Sequence, residues 1–217
     1  MTESPIKTLV MASGNAGKLR EFDRLLQPIG VEVRSQASFG VSAADEPFDT
    51  FIENALAKAR HASEQTGLPA LADDSGICVP ALGGLPGVRS ARYAQPQADA
   101  SQDALNNAKL VQALLPHEDR RAYYVAVLVL VLQPQDPLPI IAQGLWHGEV
   151  IASPRGSHGF GYDPHFWLAE HEATAAELDP AHKNQVSHRA KAMQMLVRQI
   201  TERGLVQMQP HVQSTAR

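Results

Sequence analysis

The sequence has little cysteine, no long apolar run and no excess of positive charge. Cys78 is the only cysteine among 217 residues, which excludes an intrachain disulfide and a cysteine-rich zinc site. The longest apolar run, Tyr123 to Leu132, is about half as long as a membrane-spanning helix requires. The start, Met1 to Lys7, lacks a basic segment followed by an apolar one, so secretion is not predicted. These features predict a soluble protein of the cytoplasm.

The charge balance limits the kinds of partner that the protein can have. Lysine and arginine number 19 against 23 acidic residues, which gives a net charge of −4. A nucleic-acid-binding protein generally needs a basic face for the phosphate backbone, so this balance argues against nucleic acid as a partner. A small anionic ligand needs only a local group of cations, and the composition allows one.

Strand and helix patterns alternate along the chain, which predicts an α/β fold. Ile6 to Ala12 has the composition of a buried strand, and a helical period starts at Lys18. Tyr123 to Leu132 is rich in β-branched residues, as in a central strand covered on both faces. We expect an elongated mixed sheet with flanking helices, in two lobes around a central cleft. Residues 1–206 would form this single domain, and 207–217 would be a polar, disordered tail.

Between the first strand and the first helix lies the segment Ser13-Gly14-Asn15-Ala16-Gly17-Lys18. Backbone N–H groups and the positive end of the helix dipole can hold a phosphate at such a place, and Lys18 would add a full charge. The segment is not a Walker loop, because the G-x-x-x-x-G-K-[ST] spacing is absent and Leu19 follows the lysine. Taken alone, it equally fits a glycine turn with a surface lysine.

A second helix is predicted to begin after Thr50, because Thr50 and Glu53 have capping-box spacing. Asn54 and Lys58 are four residues apart and therefore share one helical face, which could contact a ligand. From this helix alone, a solvated polar face is the more ordinary interpretation. The inward stripe is expected to contain Ile52, Ala55, Leu56 and Ala59.

The pair Asp73-Asp74, followed by Ser75, is expected to lie where two short strands meet. Adjacent carboxylates repel each other unless a cation or water relieves the repulsion. Carboxylates without a cluster of histidine or cysteine suit Mg²⁺, which also uses substrate phosphates as ligands. Asp45 and Glu46 could complete the metal site from a separate loop. The alternative is a turn in which one aspartate caps backbone amides.

Two later segments also combine groups that could contact a ligand. One is Gly159-Phe160-Gly161-Tyr162-Asp163-Pro164, which fits a substrate loop or simply a tight loop with a core aromatic residue. The other places Lys183, His188 and Arg189 at one predicted helix start. The helix dipole disfavours exposed positive charge there by about 0.3–1 kcal/mol per residue. This unfavourable placement suggests a ligand rich in hydrogen-bond acceptors.

The order of these motifs resembles the inosine triphosphate pyrophosphatase family, also called Ham1-like, and most closely its bacterial dITP/XTP pyrophosphatases. The similarity covers about Lys7 to Gly204. It implies a two-lobed α/β fold, a homodimer, and Mg²⁺-dependent cleavage of ITP, dITP or XTP between the α- and β-phosphates. The motifs that carry it are Ser13-Gly14-Asn15 with Lys18, Phe51-Ile52-Glu53-Asn54-Ala55 with Lys58, Ala72-Asp73-Asp74-Ser75-Gly76, Leu85-Pro86-Gly87-Val88 with Ser90-Ala91-Arg92-Tyr93, Gly159 to Phe166, and Ser187-His188-Arg189.

The resemblance also implies roles for individual residues. Asp74 would be the general base and a metal ligand, and Asp45 or Glu46 would support the metal. Lys18 and Lys58 would act on the departing pyrophosphate. The other implied substrate contacts are Ser13, Gly14, Asn15, Ala16 and Gly17 for the phosphates, Ser75 beside the substrate, and Phe160, Gly161, Tyr162, Asp163, Lys183, His188 and Arg189 around the base.

Two other interpretations compete with this one. Maf-like nucleotide pyrophosphatases have a related architecture but prefer other bases, and the Gly159 to Asp163 and Ser187 to Arg189 segments favour the purine family instead. A non-catalytic nucleotide sensor would bind ITP without turnover. The combination of Asp74 with two lysines argues against a sensor.

Overall fold

A computed structural model of the chain describes residues 5–14 and 16–206. The predicted tail, 207–217, lies outside the described residues. Within them, no helix is both long and apolar enough to cross a membrane. The described strands and helices are β1 (Thr8–Met11), α1 (Ala16–Leu26), β2 (Glu32–Ser35), α2 (Phe51–Thr66), β3 (Ala70–Cys78), α3 (Gln102–Leu114), β4 (Arg121–Val131), β5 (Ile140–Val150), β6 (Phe166–Leu168), β7 (Ala173–Thr174), α4 (Pro180–Val186) and α5 (His188–Glu202).

The strands form one mixed sheet in the order β2-β1-β3-β4-β5-β6-β7. β1 pairs in parallel with β2 and β3, and all the other pairs are antiparallel. β4 and β5 are each 11 residues long and pair from Arg121–Glu149 to Leu130–Ile140. The predicted α/β fold with a mixed sheet is therefore confirmed.

The apolar core is divided between two lobes that share these long strands. In the first lobe, α1 and α5 cover one face of the sheet, with Phe22 and Leu196 among the buried residues. The alanines of α2, such as Ala59, cover the other face. In the second lobe, α3 and the β5–β6 region enclose Leu110 and Phe166. β4 contributes buried side chains to both faces of the sheet in the first lobe and to the core of the second lobe. It is therefore the strand that the two lobes share.

The first turn of α5 lies unusually close to β5. A Cβ atom at Gly144 would be 2.0 Å from the carbonyl oxygen of His188 and 2.6 Å from the amide nitrogen of Ala192, so only glycine fits this position. Ser187 caps the helix, since its Oγ accepts the N–H of Ala190 at 3.3 Å. The start of α5 is thereby fixed against the sheet.

Candidate active site

A cleft of about 370 Å³ is lined by nine of the predicted site residues. Among the described residues, Asp74, Lys58, Glu46, Asp45 and Asn54 are not part of its lining. Its lining comes from both lobes and from the start of α5. The predicted site residues in the lining are Lys18, Ser75, Phe160, Gly161, Tyr162, Asp163, Lys183, His188 and Arg189.

Asp73 and Asp74 lie in the middle of β3, so the prediction that two strands meet there is wrong. In the antiparallel ladder, Asp73 is opposite Leu128 and Asp74 is opposite Val127. Successive side chains of a strand point to opposite faces of the sheet. The two carboxylates therefore meet different cations on the two faces, which explains why a buried central strand can carry both.

Asp74 is paired with Lys58, which reaches it from α2. Lys58 Nζ donates to Asp74 Oδ1 at 3.0 Å and to the backbone carbonyl of Asp73 at 2.9 Å. Asp74 Oδ2 is buried and has no hydrogen-bond partner among the described residues. Burial raises the pKa of Asp74, and the charge of Lys58 only partly offsets this. A buried carboxylate with one unsatisfied oxygen and a raised pKa is suited to accept a proton or to bind a cation.

The acidic loop before α2 brings Glu46, rather than Asp45, to this pair. Lys58 Nζ donates to Glu46 Oε1 at 2.9 Å, so the same ammonium group bridges Glu46 and Asp74. Burial opposes ionisation of Glu46, but Lys58 and Arg92 lower its pKa overall. Asp45 is exposed.

Whether these carboxylates fit a metal ion depends on how many converge and on which of their oxygens lack partners. No group of three or more histidine, cysteine, aspartate or glutamate side chains within residues 5–14 and 16–206 converges on one point. Asp74 and Glu46, with one unsatisfied buried oxygen on Asp74, fit a cation that takes one or two carboxylates and completes its shell with water and phosphate. Mg²⁺ has this preference.

Asp73 serves a different purpose, because two cations already neutralise it. Lys18 Nζ is 2.7 Å from Asp73 Oδ2, and Arg189 Nε is 3.3 Å from the same oxygen. Burial would raise the pKa of Asp73, but Lys18 and Arg189 outweigh it and hold the pKa well below its usual range. Asp73 is therefore a permanently charged anchor for both cations and a poor proton acceptor.

The predicted phosphate segment connects β1 to the start of α1, as expected. Lys18 lies in the first turn of α1 and lines the cleft. The positive end of the helix dipole therefore lies at the cleft edge, where it can attract a phosphate. Ser13 donates its N–H to the carbonyl of Met11 at 2.9 Å, and a Cβ atom at Gly14 would meet no atom within 4 Å. Asn15 lies outside the described residues.

Asp163 organises the segment Gly159 to Pro164, called the aromatic loop below, which contributes residues 159–163 to the lining of the cleft. Its Oδ2 accepts the N–H of Phe160 at 2.9 Å and is also paired with Lys183. Its Oδ1 accepts the hydroxyl of Tyr124 at 3.3 Å. The Phe160 ring is left 60% exposed at the rim, with Lys183 Nζ 5.7 Å from its centre. Asp163 is thus placed to position Phe160 and Lys183, and it also lines the cleft.

His188 is buried in the first turn of α5 and stacks on Tyr124, with ring centres 4.7 Å apart and planes 9° from parallel. Burial and the neighbouring charge of Arg189 lower the pKa of His188 to about 3. The imidazole is therefore neutral at pH 7 and offers one donor and one acceptor. Its Nδ1 is buried with no partner among the described residues. Lys183 belongs to the separate helix α4, so the predicted single helix start is wrong.

Comparison with known proteins decides the family. A family model described as the Ham1 family matches residues 9–199. The chain belongs to the Ham1 family. This confirms the resemblance seen in the sequence.

Relatives of this Ham1 protein match along nearly their whole length. The dITP/XTP pyrophosphatase of Bordetella pertussis is 59% identical over 201 residues, covering 93% of this chain and 94% of the relative. That of Burkholderia pseudomallei is 60% identical over 194 residues, covering 89% and 93%. The solved HAM1 protein from Coxiella burnetii has a TM-score of 0.86 at 45% identity, covering 91% of this chain and 100% of that one. The Ham1 protein of Staphylococcus aureus has a TM-score of 0.82 at 34% identity, covering 90% and 99%.

Asn54 of this Ham1 protein takes neither of the roles considered for it, a ligand contact or a solvated face. The side chain is fully buried. Its Oδ1 accepts the N–H of Phe48, and its Nδ2 donates to the carbonyl of Phe48, both at 3.0 Å. Asn54 therefore holds the acidic loop that carries Glu46 in place.

Two residues of α3 in this Ham1 protein hold the aromatic loop and were not predicted from the sequence. Asp103 Oδ2 accepts the N–H of Gly161 at 2.8 Å, and Asn107 Nδ2 donates to the carbonyl of Gly161 at 2.8 Å. Tyr162 is held separately by its hydroxyl, which donates to the carbonyl of Ser90 at 2.8 Å. These partners are 54 to 72 residues apart in the chain, and no local pattern marks them.

Proposed function

We propose that this protein hydrolyses noncanonical purine nucleoside triphosphates, such as ITP, dITP and XTP, to the nucleoside monophosphate and pyrophosphate, with Mg²⁺ as its cofactor. The relatives named dITP/XTP pyrophosphatase support the substrate class. The observation that carries the chemistry is the buried, unpartnered Oδ2 of Asp74 beside Lys58 and Glu46.

Asp74 is the general base in this proposal, because its raised pKa suits it to take a proton from the attacking water. The water oxygen forms a bond to the α-phosphorus, and the bond from that phosphorus to the bridging oxygen breaks. The electron pair leaves with pyrophosphate, whose charge Lys18 and Lys58 stabilise. Asp74 and Glu46 would hold Mg²⁺, which when bound neutralises charge on the phosphate oxygens.

Base recognition is assigned to the part of the cleft lined by Phe160, Lys183, His188 and Arg189. Hypoxanthine and xanthine present a carbonyl oxygen at position 6, where adenine presents an amino group. Lys183, Arg189 and one nitrogen of neutral His188 can donate to that oxygen. An adenine amino group cannot accept these hydrogen bonds, so the buried donors would stay unpaired. Such a mismatch can favour 6-carbonyl purines over adenine by about 10⁴-fold or more in kcat/KM. Phe160 would stack on the ring and contribute affinity without choosing among purines.

The bond that is cut gives the first test. With ITP and Mg²⁺ we expect IMP and pyrophosphate, because the lysines and the metal site surround the β- and γ-phosphates as one leaving unit. EDTA should abolish turnover, and added Mg²⁺ should restore it. Chromatography of the nucleotide products together with a pyrophosphate assay measures both. Formation of IDP and orthophosphate, or turnover that survives thorough chelation, would contradict the mechanism. Binding of ITP without any turnover would favour a nucleotide sensor.

The quaternary state and location are also part of the proposal. We propose a cytoplasmic homodimer that binds no nucleic acid, following the family resemblance and the net charge of −4. Light scattering of the purified protein should give a mass near twice the 23.5 kDa of the chain. A mass of one chain at micromolar concentration would contradict the dimer.

A further inference from the structure

Arg92 reaches across to the acidic loop and contacts the carboxylate that lies beside Asp74. Its Nη1 is 2.8 Å from Glu46 Oε2, and its Nη2 is 3.3 Å from the backbone carbonyl of Glu46. One guanidinium group therefore holds both the side chain and the main chain of Glu46. Lys58 contacts the other carboxylate oxygen, Oε1.

The segment that carries Arg92 is fixed to the strand that carries Asp74. Arg92 ends a 3-10 turn, Gly87–Arg92. Ser90 Oγ in this turn accepts the N–H of Ile77 at 2.9 Å and donates to the carbonyl of Gly87 at 2.6 Å. A Cβ atom at Gly76 would lie 2.4 Å from Ser90 Oγ, so the turn packs against β3 at a distance that only glycine allows. Arg92 therefore extends from a turn whose main chain has little freedom to move.

The same turn is also joined to the second lobe. Asn106 Nδ2 of α3 donates to the carbonyls of Ser90 and Ala91, each at 3.2 Å. The hydroxyl of Tyr162, in the aromatic loop, donates to the carbonyl of Ser90 at 2.8 Å. Arg92 thus links a rigid part of the cleft wall to the acidic loop.

The acidic loop itself has no helix or strand to fix it between residues 41 and 50. Side chains hold it at four places: His61 at the carbonyl of Ser42, Lys58 and Arg92 at Glu46, Asn54 at Phe48, and Glu53 at Thr50. Arg92 and Lys58 are the described side chains that contact the carboxylate of Glu46. A carboxylate has about four lone-pair sites, so two hydrogen-bonded cations still leave capacity for a metal ion. Contacts of this kind orient metal ligands in many proteins.

We propose that Arg92 is a positioning residue for the metal-assisted reaction, because it holds Glu46 where Glu46 and Asp74 can share one cation. The inference rests on the proposed function, since it takes Glu46 as the second carboxylate of the Mg²⁺ site. Among residues 5–14 and 16–206, the hydrogen bonds of Arg92 go to Glu46 and not to the phosphate segment or to Phe160, His188 and Lys183. Replacing Arg92 should therefore change the affinity for Mg²⁺ and leave the preference for ITP over ATP unchanged.

The test compares Arg92→Ala with a matched surface pair. Arg155 and Glu177 form an ion pair at 3.0 Å whose side-chain exposures, 48% and 27%, resemble the 50% and 30% of Arg92 and Glu46. Arg155→Ala is therefore the control for the loss of one exposed ion pair, which by itself contributes little. The measurements are the Mg²⁺ concentration for half-maximal ITP hydrolysis, the ITP-to-ATP ratio of kcat/KM, and amide hydrogen exchange of the metal-free protein over residues 41–50.

For Arg92→Ala we expect about a 10-fold rise in the half-saturating Mg²⁺ concentration, the lower end of the effect of losing such a supporting contact. Exchange over residues 41–50 should become faster, and the ITP-to-ATP ratio should not change. Arg92→Lys should fall between Arg92→Ala and the wild type, because it keeps the charge but loses the forked contact. Arg155→Ala should match the wild type.

A half-saturating Mg²⁺ concentration within twofold of the wild type, or a lower one, would overturn the proposal, because Arg92 would then not support the metal or would compete with it. Unchanged exchange over residues 41–50, or a changed ITP-to-ATP ratio, would also overturn it. If the wild type does not hydrolyse ITP, the proposed function fails. Hydrogen exchange would still report separately whether Arg92 holds the loop.

Discussion

Replacing Asp74 with asparagine is expected to lower kcat for ITP by about 10²-fold or more, the scale of a lost general base. The substitution keeps the shape of the side chain but removes the charge that would accept a proton and bind the metal. Lys58 would also lose the partner that lies 3.0 Å from it in β3. Steady-state kinetics at saturating ITP and Mg²⁺ measure the effect, and circular dichroism checks that the fold is retained.

Asp119→Asn is a suitable control for the Asp74 variant. Asp119 is also ion-paired, with Arg121 at 2.6 Å, but this pair is separate from the group that Lys58 forms with Asp74 and Glu46. Its kcat should equal that of the wild type. If Asp74→Asn kept near-normal kcat, the general base would have to be another group. Asp73 would be a weak substitute, because Lys18 and Arg189 hold it in the charged form.

Replacing Arg189 with alanine should reduce kcat/KM for ITP far more than for ATP. A hydrogen bond from a charged donor contributes about 1.5–3 kcal/mol, so the ITP-to-ATP ratio should fall by about 10-fold to 10²-fold. Lys18→Ala should lower kcat/KM for both nucleotides alike, because Lys18 would touch only the phosphates. The measurement is kcat/KM for both nucleotides in both variants.

The geometry makes these two variants a matched pair. Lys18 and Arg189 contact the same oxygen, Asp73 Oδ2, so each substitution removes one cation from the same buried carboxylate. Each variant therefore includes the loss of one cation from Asp73, so Lys18→Ala is the control for that loss when the ITP-to-ATP ratio of Arg189→Ala is interpreted. An unchanged ITP-to-ATP ratio in Arg189→Ala would mean that Arg189 does not read the base.

Features set by neighbouring residues could be predicted from the sequence. The capping of α2 is confirmed, since Thr50 Oγ1 accepts the N–H of Glu53 at 3.2 Å and donates to its carboxylate at 2.6 Å. Ser187 caps α5 in the same local way, since its Oγ accepts the N–H of Ala190 at 3.3 Å. Each cap is a hydrogen bond between residues three apart in the sequence, so a short stretch of sequence is enough to predict such a cap.

Features set by distant residues could not be predicted. The continuity of β3 through two aspartates depends on Lys18, Lys58 and Arg189, which come from three different helices. The helical period alone placed Ile52 inward, yet it is 41% exposed, because it lies at the start of α2. The contact between Arg92 and Glu46 spans 46 residues and has no periodic signature. These contacts depend on the strand order, which the sequence pattern does not determine.

The path of the chain through the two lobes affects how such a protein can diversify. β3 and α5 both belong to the first lobe, and α3, β6, β7 and α4 lie between them in the sequence. β4 and β5, which run through both lobes, also lie in this stretch, so the second lobe is built from two separate segments: α3, and the chain from β6 to α4 with the loop before it. Asp74, Lys58 and Glu46 precede both segments, Phe160 and Lys183 lie in the second one, and His188 and Arg189 follow it. Substitutions at Phe160 and Lys183 can therefore alter how the base is held while Asp74, Lys58 and Glu46 stay the same, so one hydrolytic apparatus can be inherited intact by enzymes with different nucleotide preferences.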